Sequence, residues 1–222
     1  MPARATLVVV LALLLPGCVR SLHPIYTDKT LTYEPAFLGS WVDREGETRL
    51  DIAASSDNDQ PGAIKSFRVT YADKDHETAN LLGHLARVGD LLVADLTISD
   101  ENDLPKSDFA KSHLFPLHTF WILRRGDDGQ TFTVRALDHD WLKKFVDEKP
   151  AAVAHYKTSD DIILTAPPEE LQKFLLAHAK DEGMLTNAEL FRRVKSAAAA
   201  APIAPTAPTP PTSPSTPSPA AK

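Results

Sequence analysis

Ala79-Asn80-Leu81-Leu82-Gly83-His84-Leu85-Ala86-Arg87-Val88, then Gly89-Asp90, then Leu91-Leu92-Val93-Ala94-Asp95-Leu96-Thr97-Ile98-Ser99 is the stretch that decides the fold. Two apolar runs of strand length flank a two-residue turn whose glycine can take positive φ. That combination is a strong β-hairpin signal. The same grammar repeats on both sides. Ser40 to Arg44 and Thr48 to Ala53 flank Glu45-Gly46-Glu47, and Leu117 to Arg125 and Gln130 to Leu137 flank Gly126-Asp127-Asp128-Gly129. Val153 to Thr158 and Ile162 to Ala166 flank Ser159-Asp160-Asp161. Between these, Ser66 to Ala72 alternates, with Phe67, Val69 and Tyr71 on one face and Ser66, Arg68 and Thr70 on the other. About nine short strands joined to their chain neighbours predict an antiparallel meander, since parallel strands need long crossovers.

Helical signals come late. His139 to Glu148 places Trp141, Leu142, Phe145 and Val146 on one helical face. Pro168 opens a second helix, with Glu169 and Glu170 in its first turn, Leu171, Phe174, Leu175 and His178 on one face, and Gly183 to close it. Thr186-Asn187-Ala188-Glu189 is a capping box and predicts a third helix carrying Leu190, Phe191 and Val194.

The two ends of the chain differ from its middle. Met1 to Arg4 carries one positive side chain, Ala5 to Leu15 is uncharged and almost wholly apolar, and Leu15-Pro16-Gly17-Cys18 follows. The apolar run is too short to cross ~30 Å of hydrocarbon and reads as a secretory leader. From Ala201 to Lys222, eight of 22 residues are proline and the rest are mostly Ala, Thr and Ser. Such a segment cannot bury enough surface to offset chain entropy and should be extended and disordered. These shifts divide the chain into a signal peptide at 1–17, a tether at 18–35, a β-barrel-like domain with C-terminal helices at 36–197, and an Ala/Pro-rich tail at 198–222.

Composition excludes some partners. Net charge is −6, and the longest basic clusters are pairs such as Arg124-Arg125 and Lys143-Lys144. Nucleic acid is therefore not expected, because phosphate binding needs a concentrated basic face. One cysteine permits no internal disulfide, so stability must come from the apolar core.

Leu15-Pro16-Gly17-Cys18 resembles the lipobox of bacterial lipoproteins, with Pro16 the one departure. The resemblance implies cleavage between Gly17 and Cys18, a diacylglyceryl thioether on Cys18 and an acylated N-terminus. By the sorting rules of that class, Val19 after the cysteine implies the outer membrane, facing the periplasm. Phe37-Leu38-Gly39-Ser40-Trp41 resembles the Gly-x-Trp signature of lipocalins and related calycin barrels. There a 3₁₀ turn leads into the first strand and the Trp closes the base. That resemblance implies a mainly β, up-and-down barrel of eight or more strands with C-terminal helices outside, and a buried Trp41. The wider run from Cys18 through Leu22-His23-Pro24-Ile25-Tyr26-Thr27 to Trp41 is similar to a group of bacterial lipoproteins to which no activity attaches.

Few residues suggest chemistry. His118 shares a strand face with Phe120 and Ile122, and His84 with Leu82 and Ala86. If those faces line a lumen, His84, His118 and Phe120 are the candidate ligand-binding residues for a small apolar ligand. His113 stands five residues before His118. Asp138-His139-Asp140 has ligand-type side chains, yet it sits where a strand hands over to a helix, and an N-cap explains it. Asp57-Asn58-Asp59-Gln60-Pro61-Gly62 starts like a calcium loop, but Arg68 stands where the bidentate Glu belongs. No Gly-x-Ser-x-Gly elbow, phosphate-binding loop or dinucleotide fingerprint occurs. The sequence thus leads to no catalytic residue, metal or cofactor. It ranks a membrane-anchored binding or accessory module first, with a structural envelope protein built on a filled barrel as the alternative. A hydrolase or metal enzyme using His84, His118 or Asp138-His139-Asp140 comes last. The partners it suggests are a bilayer through acylated Cys18, a small apolar ligand, and the cell wall through the tail.

Overall fold

The structure, a computed structural model, describes residues 19–56, 65–99, 105 and 107–194. The leader, Cys18, the whole Asp57–Gly62 stretch and the Pro-rich tail lie outside the described residues. In chain order the elements are β1 (Arg20–Ser21), β2 (Leu31–Thr32), a 3₁₀ turn (Pro35–Phe37), β3 (Gly39–Val42), β4 (Arg49–Ala54), β5 (Phe67–Ala72), β6 (Thr78–Val88), β7 (Leu91–Ile98), α1 (Asp108–Lys111), β8 (His118–Arg125), β9 (Thr131–Ala136), α2 (His139–Glu148), β10 (His155–Lys157), β11 (Ile162–Leu164), α3 (Pro168–His178) and β12 (Glu189–Arg193).

Eight strands close into an antiparallel barrel in the order β8-β7-β6-β5-β4-β3-β12-β9, with β9 returning to β8. Closure removes both sheet edges, which is how a meander of this length avoids open pairing. The hairpins fall where the turns predict them. Val88 pairs with Leu91 across Gly89-Asp90, with Gly89 at φ +57°. The mainly β barrel is compatible with the lipocalin-like resemblance.

The predicted third helix is a strand. Residues 189–193 form β12, the eighth stave, paired with β9 at Glu189 to Arg192 and with β3 at Arg192 and Arg193. Without it β3 and β9 would both be open edges, so long-range pairing overrides the local capping signal. Thr186 serves the sheet instead: its Oγ1 accepts the Ala136 N–H at 3.0 Å, and its N–H donates to Ala136 O at 2.9 Å.

Two apolar cores lie back to back through the sheet. Phe37, Trp41, Leu50, Phe67, Val69, Leu85, Leu92, Ala94, Leu96, Leu123, Phe132, Val134 and Phe191 fill the barrel. Because side chains alternate along strands, the other face of β6, β7 and β8 turns outward. There Ala86, Val88, Val93, Phe120 and Ile122 pack against Leu142 and Val146 of α2, Leu171, Phe174 and Leu175 of α3, and Ile162 and Leu164 of β11. Both helices therefore pack outside the barrel. α3 ends at His178, capped at Ala179, a turn before Gly183.

The segment expected as a tether is built into this outer core from Val19 onward. Val19 is 4% exposed and Ile25 2%. β1 pairs with β8 and, in parallel, with β11; β2 pairs with β6 where β5 has ended. The reason is backbone satisfaction: β8 extends beyond β9 and β6 beyond β5, and this segment covers the unpaired edges that result.

The base of the barrel is held by a clamp. Trp41 Nε1–H donates to Phe37 O at 2.8 Å. Arg193, arriving on β12, places its guanidinium 4.0 Å from the Trp41 ring centre. Its Nη1 donates to Leu38 O at 2.6 Å and its Nη2 to Ala36 O at 2.7 Å. Three successive carbonyls of the 3₁₀ turn and its exit are thus satisfied by two side chains. Gly39 has φ +122°, and a Cβ there would lie 2.6 Å from Arg193 Nη1, so both backbone and clamp require glycine.

Candidate functional site

Polar side chains converge at one place inside the described structure, under the N-terminal segment on the outer face of β6–β8. Asp95 interrupts the apolar run of β7 and is 1% exposed. Cross-strand register sets His84 of β6 and Phe120 of β8 on either side of it, and Ser21 of β1 opposite His118. Both Asp95 oxygens are engaged. Oδ2 accepts the Ile25 N–H at 2.7 Å, and Oδ1 lies 2.6 Å from His118 Nδ1. The Tyr26 ring packs on the His84 ring with centres 4.7 Å apart. Burial, and then the Asp95 carboxyl, raise the Tyr26 phenol above its ordinary value. Burial also pushes the His84 imidazole down, against the pull of Asp95 and together with the repulsion of His118.

The expectation that His84, His118 and Phe120 line a lumen is corrected here. All three stand on the outward face of the barrel wall, under the segment carrying Ile25 and Tyr26. Alternation assigns them to one face, but only barrel closure says which face is inside. Tyr26, Asp95 and Ser21 were not singled out from the sequence. The available signal was Asp95 itself, a carboxyl in the middle of Leu91-Leu92-Val93-Ala94-Asp95-Leu96.

Ser21, His118 and Asp95 have the composition of a nucleophile–base–orienter set, but their bonds are not arranged as one. Ser21 is fully buried; its Oγ donates to His23 O at 2.7 Å and accepts the His23 N–H at 3.2 Å. What the cluster does is pin a strap. Gln172 Nε2 of α3 donates to Ile25 O at 2.7 Å, Thr27 and Thr30 close a turn, and Arg87 N–H donates to Thr30 O at 2.8 Å.

Burial of a neutral imidazole makes stability pH-dependent. The folded-state pKa of His84 lies below the ordinary 6.5. Above that value both states are neutral and the stability is fully present. As pH falls below it, the unfolded chain takes the proton first, and stability declines until the folded protein also binds it. Each unit of displacement is worth about 1.4 kcal/mol. Urea melts from about pH 7 down to about pH 5 should show a steeper loss in the wild type than in His84→Phe. Parallel profiles would refute the assignment.

The lumen is close to full. It holds a cavity of about 40 Å³ lined by apolar side chains including Phe37, Leu50, Phe67, Ala94, Leu96 and Phe132. Small-ligand pockets run to ~300–1,000 Å³, and an apolar void of this kind stays dry. A larger cleft of about 530 Å³ opens at the barrel end where β5 and β9 finish and β12 begins, between Tyr71, Trp121, Val134, Phe191 and Glu189. Burial, with Asp43 and Glu45 nearby, raises the Glu189 carboxyl above its ordinary value.

The other candidates resolve locally. Asp138 is the N-cap of α2 and accepts the Trp141 N–H at 2.8 Å; His139 Nδ1 stands 3.3 Å from Asp140 Oδ1. His113 Nδ1 is 2.7 Å from Phe109 O. Among the described residues no three His, Cys, Asp or Glu side chains gather in a metal-binding group. Cys18 and Gly17 lie outside the described residues. No helix among those described is long and apolar enough to cross a membrane.

The fold and site define a closed eight-strand antiparallel barrel, side-chain-filled, with helices and an N-terminal strap packed on its outer wall. No family model, curated protein or solved structure matches the chain.

Proposed function

We propose that this chain is a lipid-anchored protein of the bacterial envelope whose barrel is a solid accessory module, acting through its surfaces rather than by enclosing a ligand. The observation that carries the non-enclosing part is the filled lumen, with only about 40 Å³ of apolar void. The anchored part rests on the lipobox resemblance at Leu15 to Cys18. Val19 after the cysteine favours the outer membrane, facing the periplasm, by the sorting rules of that class, and the Pro-rich tail would be the part to reach the cell wall. Acyl chains contribute ~0.8 kcal/mol per buried CH₂, and two or more of them hold a protein on a bilayer stably.

Cys18→Ser tests the anchor. The variant should leave the membrane pellet or accumulate as uncleaved precursor, and metabolic acyl labelling should vanish. Labelling that survives in the Ser variant would sink the reading.

A second reading, capture of a small apolar ligand, is favoured by one observation, the aromatic-walled cleft at the barrel mouth. Native mass spectrometry of protein taken from its own membrane distinguishes the two. The accessory reading expects acyl mass alone, and the ligand reading expects a further non-covalent mass.

A further inference from the structure

We infer that the cleft at the barrel mouth binds an organic cation, an ammonium group on an apolar body, with Glu189 as the counter-charge and Tyr71 and Trp121 as walls. This deepens the reading of ligand capture at the mouth and rests on it; the lipid anchor plays no part.

The first observation is shape. The filled lumen keeps about 40 Å³ of void, whereas the cleft at its mouth measures about 530 Å³, within the ~300–1,000 Å³ of small-ligand sites. Strand alternation sets its walls. Tyr71, Trp121, Val134 and Phe191 all belong with the inner core. Tyr71 lies one residue from the end of β5, and Trp121 pairs with Ala136, the last residue of β9. Both rings stay only partly covered. An apolar body laid in the cleft buries aromatic surface that the fold itself leaves half-exposed.

The second observation is a carboxylate in the cleft with nothing to balance it. Glu189 stands two residues before Phe191 on β12, so it shares the inward face, and it pairs with Val134 of β9. The antiparallel pairing of Arg192 with Val42 runs the start of β12 alongside the turn that carries Asp43 and Glu45. The cleft strips part of the water from Glu189 and raises its carboxyl, and Asp43 and Glu45 push the same way. Among the described residues no Lys, Arg or His side chain pairs with it. Arg192, the next cation along β12, lies on the outer face and donates to Arg44 O at 3.0 Å. The Asp43 carboxylate is already committed to the Gly46, Glu47 and Thr48 N–H groups, which leaves Glu189 as the free acceptor.

Chemistry selects the occupant. A carboxylate that is partly desolvated and has no counter-ion is stabilised by a positive ligand. The faces of Tyr and Trp rings attract the same charge. An anion would be repelled by Glu189, Asp43 and Glu45 together. A neutral apolar molecule would cover Glu189 without pairing it, at a desolvation cost. A bare divalent ion needs several ligands at once, and these three acids do not gather closely enough to form a metal-binding group. An ammonium on an apolar body satisfies both the acid and the aromatic walls.

A charge series on one apolar body tests the site. Phenylbutylamine, phenylbutanol and phenylbutyrate are titrated by calorimetry into the full-length protein in non-ionic detergent at neutral pH. The amine should bind about tenfold more tightly than the alcohol, and the butyrate should not bind. Glu189→Gln should bring the amine down to the alcohol's affinity and leave the alcohol unchanged, whereas a role for Glu189 in folding alone would move both or neither. Trp121→Leu should weaken amine and alcohol together. Asp127→Asn, in the turn at the opposite end of the barrel, removes the same charge and should change nothing. Equal affinity for amine and alcohol, with both weakened by Trp121→Leu, overturns the cation and keeps the ligand reading of the mouth. A preference for the amine that survives Glu189→Gln, or falls equally with Asp127→Asn, also overturns it, by assigning the attraction to the protein's overall charge of −6. Binding of none of the three overturns the cation and the ligand reading together.

Discussion

Trp41→Ala should unfold the barrel from its base, at a cost of about 3–5 kcal/mol. For a domain of this size that is a fall in melting temperature of roughly 10 °C. The indole is 2% exposed and packs edge-on to Phe132, with ring centres 4.7 Å apart. Phe132 in turn stacks on Phe191 and meets Phe37. Truncation removes the centre of this aromatic stack, and β strands closed at both edges cannot collapse into the space. It also frees Phe37 O and strips Arg193 of its π face. Trp41→Phe separates these effects, because it keeps most of the apolar body and loses the Nε1–H bond; its loss should be the smaller. Arg193→Ala should cost about 2–3 kcal/mol through two unpaired carbonyls and the lost cation–π contact. The double variant should lose less than the sum of the singles, since the two side chains share one turn. A Trp41→Ala protein melting within about one or two degrees of the wild type would remove the clamp from the account of stability.

Seven of the eight barrel strands were legible in the sequence because each carries its own evidence. Alternation set Phe67, Val69 and Tyr71 on one face of β5, and Gly89-Asp90 fixed the β6–β7 register. The eighth strand was misread for a local reason. Thr186 and Glu189 have capping-box spacing, and only the needs of β3 and β9, far away in the chain, make 189–193 a strand. The strap was misread for the opposite reason. Residues 19–34 show no period, include Pro24, and read as a linker; what holds them is Asp95, Gln172 and Arg87, none of which is near in sequence. The site suffered from a symmetry that alternation cannot break. Alternation separates His84, His118 and Phe120 from Leu85, Trp121 and Leu123, but which face encloses the lumen depends on closure. One signal was available. Leu91 to Leu96 of β7 is nearly continuous in apolar residues, the pattern of a strand buried on both sides, and β7 does have a core on each face.

Asp95→Ala should release the strap while leaving the barrel closed. The carboxyl carries two obligations, the Ile25 N–H on one oxygen and His118 Nδ1 on the other. Its removal leaves both groups buried and unpaired, a loss of about 3 kcal/mol, in the range found when one partner of a buried polar pair is deleted. The loss should be local. β6, β7 and β8 keep their ladder bonds, whereas the segment from Val19 to Thr32 relies on short pairings and side-chain bonds to backbone. Hydrogen exchange at the Ile25 and Arg87 amides should therefore rise toward the local-opening limit, with amides of Leu92 and Leu123 still protected. Asp95→Asn should be milder, because an amide can accept from Ile25 and donate to His118. Under the proposed anchor at Cys18, release would also lengthen the reach between body and membrane. With the strap pinned, the body starts one residue after Cys18. With it free, residues 19 to 32 become an extended segment of up to about 45 Å. Protection of Ile25 that survives Asp95→Ala would mean that Gln172 and the Thr27–Thr30 turn hold the strap without the carboxyl.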